Sequence, residues 1–279
     1  MATWIEDQLQ QLVSPVTATT FPYTGPTLSA MPGLTSLFTA VFAAAYIGWG
    51  LYGLSGKRRA TLSSCVISIF HGIVTNIVAG AQLVSQYPFS LDAQNNNSAN
   101  FIMQFSAVRS VVTAATAYMV VDFFLFLLPF TPDDFLFVGH HLMTTGYMMS
   151  SLFIGRGGLS CLVLMVLGES TSLFQNSWLI SRELRQESRA AMSCFNNLSP
   201  IYTYVFLLVR SMVAPPVIAW FCIQLQSAQK LPIGCRVTWA SLAAVTTAGS
   251  QIWSYKLWKG LKRQSAKHKA DVMQRPKSV

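Results

Sequence analysis

The sequence predicts an all-α fold, a polytopic membrane helical bundle of about seven transmembrane helices. Three observations predict it. Only 10% of the 279 residues are Asp, Glu, Lys or Arg, against about 25% in a soluble domain. Seven separate stretches are apolar over the ~20 residues that a helix needs to cross the hydrocarbon core. The basic residues, which leave a net charge of +9, gather in short clusters between those stretches. That is the pattern of a topology signal and not of a nucleic-acid-binding face, so no nucleic-acid partner is expected.

The elements follow in order. Residues 1–33 read as a non-cytosolic N-terminal segment; Glu6 and Asp7 stand where a secretory leader would carry basic residues. Pro26, Pro32 and Gly33 precede the first span, 34–54, and Lys57, Arg58 and Arg59 follow it, so that 34–57 forms one transmembrane unit. The second span is 61–83, separated by the polar run 94–100 from the third, 108–129. A tight connector at 131–134 leads to the fourth span, 135–154, and a glycine-rich one at 155–158 leads to the fifth, 158–181. The stretch 182–199 reads as the longest polar loop. The sixth span, 200–223, contains Pro215 and Pro216, which remove backbone donors and predict a kink or break. The seventh is 237–255, and 263–279 is a basic cytosolic tail. The five cysteines show no metal-type or redox spacing, and no metal site is expected.

With the amino terminus outside, fourteen of the nineteen Lys and Arg residues fall on the cytosolic side. The far side holds Arg109, Arg156, Lys230 and Arg236, and Arg210 lies within a span. This bias sets the orientation, with the carboxyl terminus cytosolic.

The middle five spans carry ionisable groups: His71, Asp122, the pair His140 and His141, Glu169, and Arg210. A charge at the bilayer centre costs at least ~2.5 kcal/mol on insertion scales. One reading makes these groups polar glue between helices; the other has them line a common interior. Helical spacing favours the second. Ser64, Ser68, His71 and Thr75 form one stripe, His140, Thr144, Tyr147 and Ser151 another, and Glu169, Ser172 and Asn176 a third. The expected site is therefore a polar shaft open toward the cytosol and lined by His71, Asp122, Thr144, Glu169, Ser172, Asn176 and Arg210, with the histidine pair near its mouth. Counting residues along the spans puts Arg210 and Glu169 at similar depth. A direct or water-bridged pair between them is expected; failing that, Arg210 would bind a lipid phosphate.

The run Gly139-His140-His141-Leu142-Met143-Thr144-Thr145, followed one span later by Gly168-Glu169-Ser170-Thr171-Ser172-Leu173-Phe174-Gln175-Asn176, resembles the TLC-domain family, which includes the ceramide synthases and many small membrane proteins. The resemblance covers roughly 58–262, six of the spans. It implies that His140 and His141 match the histidine pair proposed as the synthase active site. The synthases' second element reads His-Asp-x-x-Asp, whereas Gly168, Glu169 and Ser172 stand at those positions here. The Gly-Glu-x-Thr form looks closer to the non-synthase members, which the family implies act in lipid sensing, transport or membrane composition.

Three functions are consistent with these features. The first is a lipid-binding or lipid-sensing protein of membrane lipid homeostasis, whose partner is membrane lipid. The second is a ceramide-synthase-like N-acyltransferase, with acyl-CoA as substrate and His140 and His141 as catalytic residues. The third is a proton-coupled transporter. None requires a bound cofactor. The endoplasmic reticulum or another endomembrane is the expected location, and a homo-oligomer is left open.

Overall fold

The computed structural model describes residues 30–85, 106–127, 135–228 and 231–273. The N-terminal segment, the 94–100 run, the 131–134 connector, Lys230 and the end of the tail lie outside the described residues.

Within them the chain is helical. The elements are α1 (Met31–Leu51), α2 (Gly56–Ser85), α3 (Ser106–Leu127), α4 (Phe135–Ile154), α5 (Gly158–Glu169), α6 (Ser172–Leu184), α7 (Arg189–Phe206), a π-helical segment (Leu207–Val213), α8 (Ala214–Ser227) and α9 (Ile233–Met273). Since α5 runs on into α6, and α7 through the π segment into α8, these form seven passes. Five of the passes are long and apolar enough to cross a membrane. The passes built on α4 and α9 are long enough but less apolar. His140, His141, Thr144, Thr145, Ser150 and Ser151 dilute α4, and Thr246, Thr247, Ser250 and Gln251 dilute α9.

Six passes close a ring. α2 packs on α3, α5 and α6; α6 on α7; α7, the π segment and α8 on α9; α9 on α4; and α4 on α3. α1 stands outside, against α2 and α3, and Phe38 is its one buried residue among those described. The ring has two apolar bodies. One joins Phe38, Ile67, Ala117, Tyr118, Met119 and Val121 beneath α1. The larger fills the far end around Tyr147, Leu162, Phe221 and Trp239. There Trp239 Nε1 donates to Ser150 Oγ at 2.8 Å. A Cβ on Gly157 would sit 3.0 Å from the Trp239 ring, and its φ of +81° is left-handed, so only glycine fits this connector without strain.

At the opposite end Arg58 bonds the Glu187 carboxylate and the Glu183 carbonyl, and the Gln264 and Asn196 side chains lie 3.5 Å apart. The basic clusters 57–59, 182–189 and 256–263 therefore share one end of the bundle, the arrangement that the charge bias requires.

Three local features depart from the sequence expectations. The fifth span is broken at Ser170 and Thr171, where successive hydroxyls turn back on the chain: Ser170 Oγ donates to the Leu167 carbonyl and Thr171 Oγ1 to that of Gly168, each at 3.1 Å. The expected 182–199 loop is mostly helix. α7 starts at Arg189, capped by the Ser188 hydroxyl accepting from Ala191 N–H, because its first turns pack Phe195 onto Trp178. The irregularity in the sixth span lies before the prolines, not at them. Pro215 and Pro216 cannot donate to the carbonyls four residues back. The preceding turn widens instead, with Ala214 N–H reaching the Val209 carbonyl five residues away.

Candidate functional site

The break between α5 and α6 sets Glu169 at the end of one helix and Ser172 at the start of the next. Gly72 on α2 makes room for it: a Cβ there would lie 3.1 Å from Glu169 Oε2 and 3.2 Å from Ser172 Cβ. The neighbouring His71 brings Nε2 to 3.5 Å from Glu169 Oε1. Its ring stacks on Tyr118 with centroids 3.9 Å apart, and Thr75 Oγ1 lies 3.2 Å from Nδ1.

Tyr118 links this group to a second one. Its hydroxyl lies 2.8 Å from Ser68 Oγ and 3.3 Å from Asp122 Oδ2. Asp122, wholly buried, accepts from Ser64 Oγ at 2.6 Å and faces His141 Nε2 at 2.9 Å. His141 Nδ1 sits 2.9 Å from the Phe137 carbonyl, and Phe137 stacks on its ring. The His140 ring stands edge-on to His141, with centroids 5.7 Å apart.

Arg210, on the π segment, reaches the broken helix from the other side. Nη2 donates to the Gly168 carbonyl at 2.7 Å and Nε to Thr171 Oγ1 at 3.4 Å. The guanidinium thus caps the carbonyl end of α5, where a cation is favoured. The expected Arg210–Glu169 ion pair does not form: Glu169 pairs with His71, and Arg210 takes backbone freed by the helix break. Gln251 Nε2 of α9 donates to the Arg210 carbonyl at 2.8 Å, tying the π segment to the ring.

These groups surround one cavity of about 390 Å³ at the centre of the six passes. Of the nine residues singled out in the sequence, seven line it: His140, His141, Thr144, Glu169, Ser172, Asn176 and Arg210. His71 and Asp122 do not, which corrects their expected place in the lining. Each stands behind the wall and holds a lining residue, His71 holding Glu169 and Asp122 holding His141. The remaining lining is largely apolar or aromatic, including Met143, Met165, Phe206 and Trp253.

Residues 61–259 match the TLC domain, a stretch that runs from α2 into α9 and takes in the whole ring. The chain belongs to the TLC-domain family. A TLC domain-containing protein of Arabidopsis thaliana is 28% identical over 239 residues, covering 82% of this chain and 88% of that protein. No solved structure matches. The TLC domain thus comprises the six-pass ring, α1 lies against its outside, and the chain is a multi-pass membrane protein.

Three parts of the TLC-domain cavity escaped the sequence reading. Tyr118 was overlooked, although it precedes Asp122 by four residues and so shares its helix face. Gln175 sits beside Asn176 and lines the cavity. The polar face of α9, Thr246, Thr247 and Ser250, lines it too. It carries no ionisable residue, and its small-residue stripe, Ala243, Thr246, Thr247 and Ser250 at helical spacing, was the available signal.

Proposed function

We propose that this TLC-domain protein holds a bilayer lipid in its central cavity and acts in membrane lipid homeostasis. One observation carries the reading. α4 and α9 touch through Trp239, which meets Ser150 and Tyr147, and through Phe137 edge-on to Trp253 at 5.6 Å. Along these two helices the cavity-lining residues Phe135 (68%), Val245 (54%) and Ile252 (51%) are largely exposed. A Cβ on Gly249 would meet no atom within 4 Å. We read this face as a seam open to the hydrocarbon core, which makes a molecule dissolved in the membrane the natural occupant. The size falls within the range of ligand pockets; the polar groups receive a headgroup and the apolar walls a chain. The expected setting is the endoplasmic reticulum or another endomembrane, with the carboxyl terminus in the cytosol. Native mass spectrometry of the purified protein, with extraction of retained lipid, tests the reading. Bound lipid that is displaced when cavity residues are enlarged supports it, and a cavity that retains no lipid under any mild extraction refutes it.

A second reading is favoured by the Asp122–His141 contact. A carboxylate that orients one histidine beside another, at a cavity wall, is an arrangement suited to general-base or nucleophilic chemistry. On that reading the protein is an acyl-CoA-dependent N-acyltransferase, with His140 facing the substrate and His141 positioned by Asp122. Incubation with labelled acyl-CoA and a panel of long-chain amines distinguishes the two: amide product lost in His140→Ala supports transfer, and bound lipid without product supports binding alone.

A further inference from the structure

We infer that the occupant of the cavity carries an anionic headgroup, a phosphate or a carboxylate, and that Arg210 is its anchor. The inference rests on the lipid-binding reading and adds the charge of the ligand. Arg210 cannot shed its proton, and an arginine within a span must meet an anion, a dipole or water. It lines the cavity, yet no carboxylate among the described residues stands at ion-pairing distance from it. Of the two buried carboxylates, Glu169 shares the cavity lining but meets His71, and Asp122 stands behind the wall with His141. The contacts that Arg210 does make are a carbonyl, a hydroxyl and the face of an aromatic ring, Gly168, Thr171 and Phe206. These orient the guanidinium without neutralising it. They use Nη2 and Nε, and leave Nη1 with no acceptor among the described residues.

The backbone is shaped around this placement. The π segment and the α5–α6 break are two departures from regular helix on neighbouring passes, and Arg210 spans them. The break also puts the N-terminus of α6, with Ser172 in the cavity lining, on the same side as the guanidinium. The positive end of a helix dipole and a fixed cation therefore face one space. Charge-assisted hydrogen bonds from a planar fork are the means by which arginine selects phosphate and carboxylate groups. A neutral headgroup would leave the guanidinium with no anion in direct contact, Glu169 being held by His71.

The test uses the full chain in nanodiscs of phosphatidylcholine, doped in turn with phosphatidic acid, phosphatidylglycerol, a long-chain fatty acid, or diacylglycerol as the neutral control; a parallel arm adds inorganic phosphate alone. Retained lipid is read by native mass spectrometry. The expected result is a preference of roughly tenfold for anionic over neutral lipid of the same chain length, the size of one charge-assisted bond. It should fall to near parity in Arg210→Gln and be partly kept in Arg210→Lys. Stronger retention of phosphatidic acid than of fatty acid assigns phosphate, and the reverse assigns carboxylate. Equal retention of anionic and neutral lipid by the unmodified protein overturns the inference without any variant, and leaves lipid binding itself standing. Competition by inorganic phosphate with no lipid retained would overturn the lipid-binding reading as well.

Discussion

Both ring nitrogens of His141 lie close to oxygens, Nε2 to Asp122 Oδ2 and Nδ1 to the Phe137 carbonyl, each at 2.9 Å. His140, its neighbour in sequence, has no hydrogen-bond partner among the described residues and lines the cavity. The two histidines of one motif are thus held differently: one is fixed against the scaffold, and the other faces the cavity without a protein partner among the described residues.

This division predicts opposite behaviour on mutation. His140→Ala should leave the melting temperature in detergent within a degree or two of the unmodified protein and lower lipid retention. His141→Ala and Asp122→Ala should each lower the melting temperature, since a buried polar group that loses its partner is costly. The double variant should lose less than the two losses combined, with a coupling on the order of 1–3 kcal/mol. Strict additivity would show that the 2.9 Å contact contributes nothing. The pair His140→Ala and His141→Ala together should insert but retain no lipid; full lipid retention by that double variant would remove the histidines from the site.

A second cycle separates the two candidates for Glu169's partner. Glu169→Gln combined with His71→Ala should be markedly non-additive in thermal stability, because the two side chains meet at 3.5 Å under heavy burial. Glu169→Gln combined with Arg210→Gln should be closer to additive, since the two share a stretch of backbone but no direct contact. The reverse ranking would mean that Arg210 and Glu169 pair in the membrane. In that case Arg210 would have an internal counterion and no need of an anionic ligand.

Much of the architecture was legible because its causes are local or compositional. Apolar length and the placement of Lys57, Arg58, Arg59, Arg182, Arg185 and Arg189 delimit the passes one by one. The motif residues His140, His141 and Glu169 stood out because charge is costly in apolar helices. What the sequence did not reveal is tertiary. Nothing near Asp122 or His141 in the chain says that α3 and α4 bring them together, or that Glu169 turns to His71 and leaves Arg210 to a carbonyl. The helix break at Ser170 and Thr171 lies between. Its signal, three consecutive hydroxyl residues beside a glutamate, reads equally well as ordinary intrahelical bonding. α9 was underrated because the cavity face it contributes is made of threonine, serine and alanine rather than charge.

Orientation has an independent chemical test. The sequon at Asn197, Leu198 and Ser199 lies on α7, near the end that gathers the basic clusters, and Asn197 is exposed. Placed in the cytosol by the charge bias, Asn197 should never carry glycan. The sequon at Asn96, outside the described residues, is expected on the far side by the same charge bias and would be the one open to glycosylation. Endoglycosidase-sensitive mobility that disappears in Asn197→Gln would invert the topology.

The proposed seam between α4 and α9 gives the sharpest test of membrane access, because Gly249 on it has room for an added side-chain atom. Gly249 lies in α9 and lines the cavity, and an added Cβ would meet no atom within 4 Å. Gly249→Ala should therefore be tolerated and raise the melting temperature slightly, since alanine is the better helix former by roughly 1 kcal/mol. Gly249→Trp adds a large ring at the same position of the cavity wall. The expected outcome is an unchanged melting temperature with lipid exchange slowed at least several-fold, read as the release of a fluorescent lipid from preloaded protein into acceptor vesicles. If exchange in Gly249→Trp matches that of Gly249→Ala, lipid does not pass between α4 and α9. The cavity would then fill from the end that carries the basic clusters, the side from which a water-borne acyl-CoA would arrive, and the acyl-transfer reading would gain over simple lipid binding.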